Sequence, residues 1–456
     1  MEEFATKEYS YGLTPEHIKQ LDEAIDQELL EVVPFLISNL DDAELADYLA
    51  ISTYEIRTKL IRIIKEDFHP NVLLAVDTHL LPEIIEQIGY DATAKLMAEL
   101  EIDNAVYILE RLDQDLQNQI LELLPSSKVS TVKEMLSYPE NSAGRIMNPR
   151  IIKVMEYWTI EQTINFLRNN RNIPDNYYQI FILNFQHAPI GYISLSKILK
   201  SNPKDIIGET AEHDLKFVAV DTPNEEISYL FQQYELTALP VVNHQNRLVG
   251  VIDVDDMIEV VAEETEEDYL KLAGVAESDI YSRIIDSSLK RLPWLVLNLF
   301  GSLLTSHMIS YFGGEIEKMV ILASIMPIVA SVGGNAGTQT VTLIIRGIAT
   351  KTILDANAFR VIRKEVLISL TNSLLISAIG GGLIYLIMNN LFLSLIFSSA
   401  IICNFIVAGL MGSAIPIFFN KIKVDPAVSS SIFLTALTDI TGFCSFLILA
   451  KIFLLN

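Results

Sequence analysis

One carboxylate, Asp439, interrupts an otherwise uncharged run that opens at Pro426 and continues to Ala450. A charge in mid-membrane costs a few kcal/mol or more, so such a residue normally faces a polar cavity or pathway. Thr435 lies one helical turn before it, Ala436 follows, and Thr438 and Gly442 flank it, giving a small oxygen-rich stripe. The bland alternative is a protonated Asp in an interhelical hydrogen bond. A second group is Pro327 followed by Gly333-Gly334-Asn335-Ala336-Gly337-Thr338-Gln339. Glycines at this density are expected to interrupt the helix and free backbone carbonyls, which at membrane depth requires a protein-lined cavity. Close helix packing through small residues is the competing reading. Gly334, Asn335 and Gln339 are therefore candidate pathway residues beside Asp439, Thr435 and Ala436. All donors here are oxygens; no Cys, Met or His joins the Asp439 stripe, which disfavours copper and zinc and favours a hard cation. Magnesium keeps most of its water and is held through one or two carboxylates. Two Asp439 side chains on a dimer axis would balance one such ion. His307 reads as a packing residue.

These groups need spans to hold them. About 20 apolar residues cross a bilayer as a helix. Leu292 to Phe312 and Met319 to Ile345 give spans one and two; Val366 to Asn420 is long enough for two more, with the turn at Asn389-Asn390; the fifth runs from Pro426 to Leu455. Basic residues fall in alternate loops: Arg283, Lys290 and Arg291 before span one, then Arg346, Lys351, Arg360, Arg363 and Lys364, then Lys421 and Lys423. By the positive-inside rule these loops are cytoplasmic, which puts the N-terminus inside and the C-terminus outside a multi-pass cell membrane protein. The opening residues MEEFATKEYS carry no apolar signal region, so the head is expected to remain in the cytoplasm.

The 456 residues are half hydrophobic with a net charge of −25, but the averages conceal two halves. From Arg291 onward there are 10 Lys+Arg and 6 Asp+Glu; the first 290 residues hold 23 and 52, so the halves carry +4 and −29. That excludes a wholly soluble protein, a disordered chain and an ordinary nucleic-acid binder. Cys403 and Cys444 provide neither a disulfide framework nor a thiolate cluster.

Within the head, residues 1–137 show apolar positions at helical spacing and read as an all-α domain. Residues 138–262 alternate short β-rich runs with helices, and Gly191 and Gly250 mark two copies of a repeat of about 60 residues. The segment ALPVVNHQNRLVGVIDVDDMIEVV from Ala238 resembles the second half of a CBS domain, and Ile151 to Leu199 resembles a first copy. Such pairs often bind adenosine nucleotides through a Ser/Thr and an Asp three residues on; here Asp253-x-x-Asp256 and Ser194-x-x-Lys197 stand at those places. A carboxylate at Asp253 would repel phosphate, so a nucleotide at the pair is an open alternative. Residues 263–290 form an acidic connecting helix, and 291–456 the all-α transmembrane domain with five helices.

Asp253, Asp255, Asp256, Glu259, Glu263, Glu264, Glu266, Glu267 and Asp268 form a dense acidic run, with Glu99, Glu101 and Asp103 as possible partners and Asp425 at the mouth of span five. Such a run is often only a solvated face. Next to a membrane it also suits a sensor in which divalent ions bridge acidic faces and compact the head. Asp425 could share one ion with a carboxylate of the connecting helix.

PIVASVGGNAGTQ from Pro327 and DPAVSSSIFLTALTDITG from Asp425, together with the five-span layout and the head, resemble the MgtE family of magnesium channels or transporters across nearly the whole chain. The resemblance implies a homodimer whose interface pore binds hydrated magnesium at Asp439, with backbone help near Thr435 and from a broken second span near Asn335. It also implies that the connecting helix acts as a plug. The alternative is a proton-coupled or exchange carrier for Mg, Mn or Co. No nucleophile-base set and no G-x-x-x-x-G-K-[ST] loop supports an enzyme or a built-in ATPase.

Overall fold

The computed structural model describes residues 12–29, 31–170, 173–174, 177–272, 275 and 284–454. The chain divides into two compact units, one running to Val261 and the other from Ala262.

The first unit begins with short helices from Pro15–Asp26 to Ser126–Leu136. Polar caps fix their ends: Thr53 accepts from the Ile56 amide, Asp113 from the Leu116 amide, and Asp41 with Glu44 forms a capping box. Their apolar faces meet in one core that includes Tyr48, Leu49, Leu60, Ile84 and Val106. The repeat follows. In the first copy β1 (Lys153–Met155) pairs parallel with β2 (Gln179–Leu183), which pairs antiparallel with β3 (Pro189–Ser194). The second copy repeats this with β4 (Val218–Ala219), β5 (Ala238–Val242) and β6 (Leu248–Asp253). Gly191 faces Ile182 and Gly250 faces Val241, one glycine at the same place in each copy. A side chain there would meet the Glu212 carbonyl at 2.6 Å in one copy and Met147 in the other, which is why both are glycine. The expected all-α domain and CBS pair are both present.

The acidic helix, Val254–Leu272, starts directly at the end of β6, earlier than the expected connecting segment. The helix of the first span opens at Ile284, and the rest of the connecting segment, including Arg283, lies outside the described residues apart from 275. Among the described residues five helices are long and apolar enough to cross a membrane: Ile284–Ser310, Ile321–Ala349, Ala358–Met388, Leu391–Lys421 and Pro426–Phe453. We call them the first to fifth spans. The turn between the third and fourth is made by Asn389, at φ 49°, and Asn390, whose side chain caps the fourth span by accepting from the Leu393 amide at 3.1 Å. These two spans are zipped by small residues. Ser394 Oγ donates to the Gly381 carbonyl at 2.6 Å, Ser398 Oγ to that of Ser377 at 3.0 Å, and Gly409 lies against Ser369. The fourth span is the most enclosed, with half of its most apolar stretch buried; the first has 6%.

The second span corrects one expectation. It is a continuous helix of 29 residues through Pro327 and through Gly333 to Gly337, with no interruption. The carbonyls expected to be free are thus taken up by helical N–H groups, and two accept a further bond: Thr338 Oγ1 donates to the Gly334 carbonyl and Thr340 Oγ1 to that of Ala336. The glycines serve approach between helices instead.

Candidate ion-binding sites

The second and fifth spans pack antiparallel, and three glycines set their register. A Cβ on Gly334 would stand 3.7 Å from Thr438 Oγ1, one on Gly337 2.8 Å from Leu434, and one on Gly442 3.0 Å from Ala330. Asp439 is therefore level with Gly333, and Asn335 stands between the heights of Thr435 and Asp439. Thirteen residues separate Asp439 from Pro426, about 20 Å along a helix that spans about 40 Å, so the carboxylate is at mid-depth.

Asn335 and Gln339 are exposed on the second span, together with Thr338 and Thr342 at helical spacing. Thr435 is exposed on the fifth, and Asp439 is half-buried. The structure thus brings Asp439, Thr435, Asn335 and Gln339 to neighbouring helices at neighbouring heights, with their polar faces turned outward from the bundle. Two flanking residues are placed elsewhere. Thr438 is fully buried and its hydroxyl donates to the carbonyls of Leu434 and Thr435 at 2.9 and 3.1 Å. The Ala436 methyl faces the first span, 3.2 Å from where a Cβ on Gly301 would stand, so only its backbone could serve an ion. Gly334 likewise has only backbone to give. His307 pairs with Tyr311 one turn on, at 3.2 Å, on an exposed part of the first span.

Sequence reasoning missed Asn404. This amide, on the fourth span, is completely buried where the second, fourth and fifth spans meet. Its Nδ2 donates to the Val329 carbonyl at 2.9 Å, Gly333 and Gly442 both close over it, and its Oδ1 has no partner. A lone amide inside a long uncharged run was the available signal. A methyl at Gly333 would run into this amide, so Gly333→Ala should cost about 1–3 kcal/mol, the usual range for overpacking. Gly334→Ala, whose methyl would make only an ordinary contact with Thr438 Oγ1 at 3.7 Å, should be tolerated. Thermal denaturation of the purified protein in detergent checks the difference.

The second group lies in the first unit. Glu101 opens the helix Ile102–Glu110 and accepts from Asn148 and from the Arg150 guanidinium. Asp103, 8% exposed, leaves Oδ1 without a hydrogen bond. Burial, then the Glu101 charge, pushes its carboxyl up to about 6. Asp253 ends β6, and Asp255 and Asp256 begin the acidic helix. Asp253 is pushed up to about 7 by burial and then by Asp255, Asp256 and Glu101. Asp256 is pushed up to about 7 by burial and then by Asp103, Asp255 and Glu101. Five carboxylates therefore sense one another, against the cations Arg150 and Lys128. Burial and Arg150 hold the Lys128 ammonium below its usual range, although Glu101 and Asp103 draw it upward. Among the described residues no three His, Cys, Asp or Glu side chains converge closely enough to ligate one metal directly.

The remaining acids have other company. Glu259 accepts from the Tyr107 hydroxyl at 2.7 Å. Glu263, Glu264 and Glu266 each have an interaction partner, and the side chain of Asp268 is outside the described residues. Glu267 pairs with Lys271, and so does Asp425.

Three family models match the chain: a divalent cation transporter model over residues 326–449, the MgtE intracellular N domain over 40–141 and a CBS domain over 204–263. The magnesium transporter MgtE of Thermus thermophilus is 30% identical over 357 residues, 78% of this chain and 79% of its own. The chain belongs to the MgtE family. Another MgtE, the magnesium transporter of Bacillus subtilis, is 28% identical over 430 residues, 92% of this chain and 91% of its own. A solved structure, the cytosolic domain of the Mg2+ channel MgtE in complex with ATP, is 23% identical, with a TM-score of 0.49, covering 53% of this chain and 99% of that one. The MgtE transporter model describes a divalent cation transporter, and the five spans make this member a multi-pass membrane protein.

Proposed function

We propose that this protein carries magnesium across the cell membrane through a homodimeric pore, down the electrochemical gradient, and that cytosolic magnesium closes it. The observation that carries the reading is the outward polar face at mid-depth. Asn335, Gln339, Thr435 and Asp439 on one protomer would be costly against lipid, and a second copy apposing the same face converts them into a lined path. Two Asp439 carboxylates then match the charge of one divalent ion. Their oxygens suit an ion that keeps its waters, with Asn335, Gln339 and Thr435 contacting the hydration shell, while Gly334 and Ala436 have only helical backbone to add. The name shared by the relatives supports magnesium as that ion.

The acidic group supplies the control. Five carboxylates facing two cations repel one another, and hydrated magnesium would relieve that repulsion without direct ligation by three side chains. Ions at Glu101, Asp103, Asp253, Asp255 and Asp256, with Glu259, Glu263 and Glu266 extending the field, favour the compact head and hold the acidic helix at the cytoplasmic mouth. A nucleotide at the CBS pair is not needed for this. The basic ends of the second, third and fourth spans support an orientation with the N-terminus inside.

The test is magnesium entry into proteoliposomes under an imposed membrane potential, or under a pH gradient set by changing only the side opposite the head while head-side pH is held fixed. The potential contributes about 4.6 kcal/mol per 100 mV for a divalent ion. Flux that follows the potential and ignores the pH gradient supports a pore; flux that tracks the pH gradient would replace it with a proton-coupled carrier.

A further inference from the structure

The cytoplasmic mouth of the fifth span holds a cation that belongs to the chain. Lys271, near the end of the acidic helix, places Nζ 2.7 Å from Glu267 Oε1 and 2.8 Å from Asp425 Oδ2. Asp425 immediately precedes the fifth span, whose helix opens at Pro426. The Lys271 side chain is 22% exposed, less than either carboxylate. Burial pulls its ammonium downward, and Asp425 and Glu267 outweigh this and hold it above the ordinary lysine range. The next residue, Leu272, packs against the cluster of Val341 and Ile345 of the second span and Leu434 of the fifth. Leu434 is adjacent to Thr435, so this apolar contact lies at the foot of the proposed path.

We propose that Lys271 and Leu272 form a magnesium-independent latch, in which the ammonium occupies the position a divalent ion would otherwise take between Glu267 and Asp425. The inference rests on the transport reading above and deepens its regulation. The sequence pointed to an ion shared between Asp425 and the acidic helix; the structure fills that place with a tethered charge. A resident cation contributes to closure at every magnesium concentration, whereas a bound ion contributes only when present. The latch therefore lowers the amount of magnesium needed to shut the path, and the acids of the first unit supply the variable part. An ammonium also carries half the charge of magnesium, so removing it leaves two carboxylates that a divalent ion can take.

The experiment uses the full chain in proteoliposomes, with flux measured as head-side magnesium is stepped. Lys271→Met is expected to raise flux at the lowest head-side magnesium several-fold and to close fully at high magnesium, giving a steeper curve. Lys271→Arg keeps the charge and should track wild type. The swap Lys271→Glu with Asp425→Lys re-forms a pair and should return the low-magnesium flux toward wild type, while Lys271→Glu alone should not. A Lys271→Met curve that superimposes on wild type, or a swap no better than Lys271→Glu alone, overturns the latch. If wild type carries no magnesium at all, the transport reading fails separately. The contact is then read by crosslinking Leu272→Cys to Val341→Cys with a short bifunctional thiol reagent, which leaves Lys271 and Asp425 in place, with Cys403 and Cys444 replaced by serine. Crosslinking that persists in chelator supports a magnesium-independent contact, and crosslinking that requires added magnesium overturns it.

Discussion

Asp439→Ala is expected to reduce magnesium flux into proteoliposomes by about two orders of magnitude, since losing a mid-membrane counter-charge worth about 3 kcal/mol corresponds to that factor. The carboxylate is the one acid in the fifth span, it stands about 20 Å from either end, and its neighbours on the polar face are neutral. Asp439→Asn keeps the size and hydrogen-bonding capacity and removes only the charge. It should fall almost as far, which separates an electrostatic role from a packing one. Thr438→Val is the contrasting substitution, because that hydroxyl is fully buried and already donates to two carbonyls of its own helix. Its flux should stay near wild type. If Asp439→Ala conducts normally, the carboxylate is a packing residue and the path lies elsewhere.

The second large effect is expected at the acidic group. Asp103→Asn combined with Asp256→Asn removes two of the five interacting charges and should flatten the response to head-side magnesium, with flux at low magnesium falling toward the closed level. The same carboxyls predict a pH effect whose sign is fixed by their raised values. A carboxyl that titrates near 6 or 7 in the compact arrangement, against about 4 when free, holds a proton in the compact arrangement over that interval. Compaction is therefore favoured as pH falls through the interval and opposed as pH rises through 7. Lowering head-side pH from 8 to 6 without magnesium should reduce wild-type flux, and the double Asn variant should respond less. Calorimetry of magnesium addition near pH 7, in buffers of different ionisation enthalpy, should show protons released. No proton release and an unchanged magnesium response in the variant would remove these acids from the control of the path.

The spans were legible because an apolar run of given length has one solution in a bilayer, and the Asn389-Asn390 turn was legible because two consecutive amides have no other use there. Asp439 was visible for the same reason: its cost in lipid singles it out. The second span shows the limit. A cluster of glycines predicts weak helix propensity, yet a long helix with threonines bonding back to its carbonyls absorbs them, and whether glycine breaks a helix or admits a neighbour depends on what stands opposite. Opposite Gly333 is Asn404, some 70 residues away in sequence, and nothing local announces the pairing. Lys271 was hidden differently. In a stretch so rich in acids, one lysine reads as part of the solvated face until the fold brings Asp425 to it.

The Ser–Gly zipper between the third and fourth spans bears on how the protein is made. A two-residue turn leaves no loop to explore, and Ser394, Ser398 and Gly409 find their partners within the same pair of helices. Once the ribosome has delivered the second of these helices, the pair can enter the bilayer as a finished hairpin. The second span, already inserted, and the fifth, still to come, then assemble on a surface that exists before either has found its place.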